Sequence, residues 1–200
     1  MVLELVILAV EDGRLRILLG PRGLPHCAVL GSESLDRAAR KLLDDEVTAD
    51  HLYLEQLYTF AFPHSKSERV VVAYLALVRN ARPRRPGHAW AAANPLPRLG
   101  AEQRSVAAYG LARLRNKITY TNLAFAFLPD RFTLSDLQST YEVILGKGLD
   151  KRNFRKKILS LDILGADGQA RRGGRPARLY QFTGSREVSF LPSLGGGRSS

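Results

Sequence analysis

FTLSDLQSTYEVILGKGLDKRNFRKKILSLDIL, residues 132–164, is the stretch that decides the fold. Thr133 followed three residues later by Asp136 is the spacing of a capping box, in which two side chains satisfy the free amides at a helix start. Leu134, Leu137, Tyr141, Ile144 and Leu145 recur at helical spacing and give that helix an apolar stripe. Gly146 and Gly148 end it, because glycine accepts the backbone a sharp turn needs. Asp150 then stands where a second helix requires a cap. On a wheel of that second helix, Phe154, Ile158 and Leu161 share one face, and Arg152 and Lys156 lie nearly opposite, flanked by Asn153 and Arg155. Two helices joined by a tight turn, the second bearing cations on its free face, have the grammar of a helix-turn-helix.

The second helix carries Lys151, Arg152, Arg155, Lys156 and Lys157 and no acid within it, so intrahelical salt bridges do not account for the charge. GADGQARRGGRPARLYQF, residues 165–182, follows directly. Asp167-Gly168 and Gly173-Gly174 are turn or loop signals and Arg178–Phe182 is strand-like, which predicts a β-hairpin wing carrying Arg171, Arg172, Arg175 and Arg178. Residues 147–178 hold 10 Lys+Arg against 3 acids. The bland alternative is a solvated basic face. The cation-and-amide face favours a polyanion instead, since Arg pairs bidentately with guanine and Asn with adenine. Duplex DNA is preferred over RNA, because the module has no exposed aromatic platform for stacking bases and Phe154 faces the core. Arg152, Asn153 and Lys156 are the expected base readers, and Arg171, Arg172 and Arg175 the expected backbone or minor-groove anchors.

The rest of the 200 residues agrees with a separate basic module. The formal net charge is +11, yet residues 1–100 hold 13 Lys+Arg and 11 Asp+Glu while residues 101–200 hold 17 and 8. Cys27 is the single cysteine, so no internal disulfide forms, and no Cys/His cluster has zinc spacing. MVLELVILAVEDG at the start is interrupted by Glu4 and reads as a buried strand, not a signal peptide. No run reaches the length of a membrane span, and a cytoplasmic protein is expected. Val2–Val10 and Arg14–Leu19 predict a hairpin across Asp12-Gly13. Ser34–Leu43 predicts a helix capped by Ser32 or Ser34. Leu52–Phe62 and Arg69–Arg79 predict strands, and the Pro- and Gly-rich residues 81–100 a long connection with Trp90 held to the first domain. Val106–Ile118 and Thr121–Leu128 predict helices before the basic module. The tail SLGGGRSS is expected to be disordered.

RLRNKITYTNLAFAFLPDRFTLSDLQSTYEVILGKGLDKRNFRKKIL, residues 113–159, with RRGGRPARLYQF, residues 171–182, resembles the C-terminal winged helix of the Nudix-related transcriptional regulators called NrtR. LEQLYTF, residues 54–60, and VVVAYLALV, residues 70–78, resemble that family's Nudix-like domain. The resemblance implies an α+β chain: an N-terminal Nudix-like α/β sandwich that dimerises, residues 1–100, then a winged helix, residues 101–185, with 186–200 as the tail. It implies a bacterial repressor, often of NAD-related genes, released from double-stranded DNA by ADP-ribose or a related nucleotide. By the same resemblance the DNA-facing positions are Ser135, Lys151, Arg152, Asn153, Arg155 and Lys156, with the wing residues Arg171, Arg172 and Arg175.

The Nudix hydrolase signature, G-x5-E-x7-R-E-U-x-E-E-x-G-U, uses carboxylates to hold magnesium at a diphosphate. Aligned on SLDRAARKLLDDE, residues 34–46, it puts Cys27 at the first Gly and Glu33 at the first Glu. Lys41 and Leu42 then occupy the Arg-Glu pair, Asp45 and Glu46 the Glu-Glu pair, and Thr48 the final Gly. Leu42 has no metal-ligating atom, so the expectation is no hydrolysis, no metal, no catalytic residue and no cofactor, with Glu33, Asp45 and Glu46 as solvated helix carboxylates. His26, His51, His64 and His88 are scattered, and none has a visible catalytic partner. The effector stays open between a nucleotide such as ADP-ribose, another metabolite and none. The expected protein is thus a homodimeric repressor that binds an inverted-repeat operator at the nucleoid. Its rivals are a divergent Nudix hydrolase and an RNA-binding protein.

Overall fold

The computed structural model describes residues 1–29, 31, 33–64, 67–170 and 177–184. The chain forms two compact units, Met1–Arg113 and Leu114–Ser200.

The first unit is built on a mixed sheet. β1 (Val2–Glu11) and β2 (Arg14–Leu19) form the expected hairpin, with Leu8 opposite Ile17 and Glu11 opposite Arg14. Asp12 and Gly13 both take positive φ, the two-residue turn whose twist suits a hairpin. β3 (His26–Ala28) pairs with the other end of β1. After α1 (Leu35–Glu46) comes β4 (Val47–Thr48), then the long antiparallel pair β5 (His51–His64) and β6 (Ser67–Arg79). β6 runs parallel to β1 from Val71 to Val78, a crossover pairing that buries β1 from Leu3 to Ala9. The strand order is β5-β6-β1-β2, and β8 (Ala89–Ala92) adds to the far edge of β2.

Residues 81–100 are therefore not a plain connection. β7 (Arg82–Pro83) pairs with β4, and β8 is an edge strand that holds Trp90 opposite Leu18. The Trp90 indole donates to the Ala81 carbonyl at 3.3 Å, so the ring is fixed to this unit. Proline hid both strands, because proline is tolerated at sheet edges but reads as loop.

Strand alternation divides the core in two. Leu3, Leu5, Ile7, Val72, Tyr74 and Ala76 pack with Ala38, Ala39, Leu42 and Leu43 of α1. The Tyr74 hydroxyl donates to Asp36 at 2.6 Å, tying strand to helix. Glu4, Val6 and Leu8 face the other side, where α2 (Ala101–Lys117) covers them. Gly110 lets that helix approach: a Cβ there would come within 2.9 Å of Val6. Glu4 is fully buried, and Arg69 bridges it, at 3.0 Å, to Glu102 on α2. Burial raises the Glu4 carboxyl above its ordinary pKa, and the Arg69 guanidinium opposes that rise.

In the second unit, the end of α2 (Leu114) and Ile118 pack with a short 3-10 helix over Asn122–Phe127, within the Thr121–Leu128 segment read as a helix. β9 (Phe132–Thr133), α3 (Leu134–Leu145), α4 (Lys151–Leu159), β10 (Leu164–Ala170) and β11 (Ala177–Phe182) follow, with a sheet order of β10-β11-β9. α3, α4 and this small sheet make a winged helix. Leu137, Tyr141, Ile144, Phe154 and Ile158 form its core, with the Tyr141 and Phe154 rings edge to face at 5.4 Å. α4 stops at Leu159, so Leu161 packs from beyond the helix, half-buried. Asp167-Gly168 is not a turn but a bulge inside β10, with Gly168 at φ +82. Asp167 accepts from Arg131 at 2.6 Å, which holds the base of the wing. The expected wing residues Arg171, Arg172 and Arg175, the possible cap Ser32 and the 186–200 tail lie outside the described residues.

Candidate nucleic-acid interface and ligand pocket

The geometry of α3 and α4 is set by local hydrogen bonds. The capping box forms: Asp136 N donates to Thr133 Oγ1 at 3.1 Å and Thr133 N donates to Asp136 Oδ2 at 2.9 Å. Gly146 closes α3 in the left-handed conformation, φ +69, and donates to the Glu142 carbonyl. Two residues not singled out in the sequence then clamp the turn. Glu142 Oε1 accepts from Leu149 N at 2.8 Å and from Gln138 Nε2 at 3.0 Å, and Gln138 Nε2 also donates to the Leu149 carbonyl. The i, i+4 spacing of Gln138 and Glu142 was the available signal. Asp150 Oδ1 caps α4 by accepting from Asn153 N at 2.8 Å.

On this scaffold Lys151, Arg152, Asn153 and Lys156 are exposed on α4. Arg155 is half-buried and donates through Nη2 to Ser135 Oγ at 3.1 Å, so the first turn of α3 and the middle of α4 join in one surface. Arg178 on β11 is exposed, its guanidinium 5.5 Å from the Tyr180 ring centroid. A fixed turn, a cation-bearing helix face and a buried apolar back suit a helix that enters a major groove.

The first unit holds a cavity of about 240 Å³, lined by the turn at Gly20–Gly23, by Leu24, Pro25 and His26, and by Glu46, Arg85 and His88. β4 follows α1 without a break and pairs with β7, and Arg84 N donates to the Glu46 carbonyl at 2.8 Å. That pairing delivers the next residues to the end of α1. Arg85 Nη2 donates to Asp45 at 3.3 Å, Arg85 Nε lies 3.4 Å from Glu46, and His88 Nε2 lies 2.9 Å from Glu46. Glu46 is therefore not a solvated carboxylate: its side chain is 2% exposed and internally countered. His88 thus lies against a buried carboxylate, and His26 lines the same cavity.

A divalent cation fits this arrangement poorly. Leu42 is 5% exposed within the core, and two cationic or protonatable groups occupy the Asp45–Glu46 pair. Burial, then the nearby Glu33 carboxylate, pushes the Cys27 thiol above its ordinary pKa.

Sandwich, crossover helix and winged helix together define a Nudix-fold unit fused to a DNA-binding module. Residues 124–182 match the family described as the NrtR DNA-binding winged helix domain. The ADPR responsive transcriptional repressor NtrR of Acinetobacter baylyi is 30% identical over 91% of this chain and 81% of its own length. The chain belongs to the NrtR family. Shewanella oneidensis NrtR, solved in complex with a 27mer DNA, superposes with a TM-score of 0.75 at 25% identity over 91% of this chain and 93% of that one. A MutT/nudix family protein from Enterococcus faecalis shares the fold, with a TM-score of 0.67 at 17% identity over 90% of this chain and 85% of that one.

Proposed function

We propose that this protein is a DNA-binding transcriptional repressor that docks α4 in the major groove and is released by ADP-ribose or a close nucleotide relative. The observation that carries it is the single exposed surface of Lys151, Arg152, Asn153 and Lys156, joined to Ser135 through Arg155. Arg152, Asn153 and Lys156 read bases; Ser135, Lys151 and Arg155 hold the backbone, assisted by the wing arginines Arg171, Arg172 and Arg175. The name of the Acinetobacter relative supports the effector, and the cavity beside Arg22, Arg85 and His88 offers donors for an anionic group. The same cavity lacks the carboxylate set of a hydrolase, because Leu42 belongs to the core. We assign no hydrolysis to it. A repressor of this kind acts at the chromosome, and no described helix is long and apolar enough to cross a membrane.

The repressor acts as a homodimer on an inverted repeat. Tyr58 (53% exposed) and Tyr109 (42% exposed) sit with Phe60 and Phe62 beside α2, ring centroids 5.2 to 5.7 Å apart. Among the described residues β5 pairs with β6 and with no other strand, which leaves its other edge open. An aromatic face beside an open edge, flanked by the mixed-sign pair Arg113–Glu55, is self-complementary under a two-fold axis.

Anisotropy titration tests the function with a duplex selected from random DNA, followed by ADP-ribose with and without magnesium. Tight, salt-sensitive binding reversed by intact ADP-ribose supports it. Turnover of ADP-ribose without specific DNA binding replaces it with the hydrolase reading.

A further inference from the structure

The turn between β2 and β3 is wedged between the cavity and α2. Gly20 and Gly23 exchange both backbone hydrogen bonds, at 2.8 and 3.0 Å, which closes a rigid loop with Pro21 and Arg22 at its corner. Neither glycine has room for a side chain. A Cβ on Gly20 would overlap the His88 ring, the same ring that meets buried Glu46. A Cβ on Gly23, which sits at φ +91, would overlap the Gln103 side-chain oxygen. That oxygen accepts from Leu24 N at 3.3 Å.

Gln103 belongs to the first turn of α2, next to Glu102, which Arg69 ties to buried Glu4. α2 continues unbroken to Lys117, past the Arg113–Leu114 division, so its last residues belong to the second unit. The two ends of one stiff turn therefore touch a cavity-lining side chain and the helix that leads to the DNA-binding module.

We propose that the Gly20–Gly23 turn is the coupling element of the repressor and that Gln103 is its positioning residue on α2. This rests on the reading of the cavity as the effector site. An anionic ligand group that draws His88 from Glu46 moves the ring off Gly20. The turn shifts as one body, and Gln103 carries the shift into α2. A ligand gains control over DNA only through such a difference between two arrangements.

Full-length Gln103→Ala keeps a good helix former in place and removes only the contact. Allosteric couplings commonly change affinity by about 5- to 150-fold. Saturating ADP-ribose is expected to weaken wild-type DNA binding by a factor in that range. In Gln103→Ala the factor falls to about twofold, while ligand-free DNA affinity and ADP-ribose affinity each stay within about threefold. A variant that keeps the full wild-type factor overturns the proposal.

A ligand-free arm separates this from the effector reading. Gly20→Ala, at a position without the positive φ of Gly23, presses the turn off the His88 ring and is expected to weaken DNA binding at least about fivefold without ADP-ribose, and Gly20→Ala/Gln103→Ala to restore it. Equal weakening with and without Gln103 overturns the relay, even where wild-type protein responds to ADP-ribose. A wild-type protein that ignores ADP-ribose, with the ligand-free rescue intact, sinks the effector alone.

Discussion

Arg152→Ala distinguishes a base-reading helix from a solvated one. Arg152 stands exposed in the first turn of α4, away from the buried Phe154 and Ile158, with no hydrogen-bond or ion-pair partner among the described residues. Truncating it should leave folding stability within about 0.5 kcal/mol, so any change in DNA affinity belongs to the DNA contact. A bidentate contact to guanine contributes about 1–3 kcal/mol, which at about 1.4 kcal/mol per decade is roughly a 5- to 150-fold rise in Kd. The loss should concentrate at one operator base pair, because the variant no longer distinguishes that base. A phosphate contact behaves differently: it weakens all sequences equally and lowers the slope of log K against log salt by about 0.9. The assay is anisotropy on the operator and its single-base variants at several salt concentrations. A loss below about twofold on every duplex refutes the placement of this face in a groove. Uniform weakening with the reduced slope leaves the groove but removes Arg152 from base reading. Arg155→Ala is a different experiment, since its bond to Ser135 also joins α3 to α4 and its melting curve must be read beside its Kd.

Four further outcomes follow from the same contacts. Glu142→Ala removes the acceptor for Leu149 N and for Gln138, and should cost about 1–3 kcal/mol of winged-helix stability by thermal melting; an unchanged melt denies that this clamp sets the turn. Tyr58→Ser with Tyr109→Ser, both at exposed positions, should yield a folded monomer by analytical ultracentrifugation that still binds a half-site; a persistent dimer refutes the aromatic interface. Leu42→Glu places a carboxylate in the core and should cost about 3 kcal/mol or more without creating hydrolysis, read by denaturant titration and ADP-ribose turnover. For Glu4, whose folded-state pKa is raised, the folded state holds its proton more tightly, so its contribution is favourable below the unfolded pKa and lost as pH rises through the folded one. Glu4→Gln should therefore gain on wild type as pH climbs from about 4.5 toward neutrality, and a difference of the opposite slope in pH-dependent melts would falsify that sign.

The winged helix was legible because its signals are local. Thr133 and Asp136 are three residues apart, Gly146 marks a helix end, and the cations of α4 share one short segment. The β1–β2 hairpin was legible for the same reason, through Asp12-Gly13. What stayed hidden depends on chain distance. Glu46 is buried because Arg85 and His88, about forty residues away, arrive through the β4–β7 pairing. Nothing in a helix ending LDDE distinguishes that acid from a solvated one. The Gly20–Gly23 turn likewise carries its meaning in neighbours at positions 88 and 103. β8 was obscured by surrounding proline and alanine, and its pairing with β2 is what gives it strand structure.

The fate of α1 follows from two linked replacements. Positions 42 and 46 are one helical turn apart, so a carboxylate at 42 would share a face with Glu46 and would need a metal to draw it from the core. Leucine there instead joins the contacts of Ala38, Ala39 and Leu43, and a buried side chain of that size contributes about 1.5–3 kcal/mol. Without a metal, Glu46 at 2% exposure would be an uncompensated charge in a low dielectric, a cost of several kcal/mol. The Arg85 guanidinium, 3.4 Å away, offsets part of that cost from within the chain, and the His88 ring lies beside the same carboxylate at 2.9 Å. A leucine at 42 and side-chain partners at 46 are therefore mutually consistent features of one helix end. Counter-ions differ from a metal in one consequential respect: they are side chains fixed to the backbone. A ligand anion that competes for them must move protein, and His88, packed on Gly20, is positioned to pass that movement on.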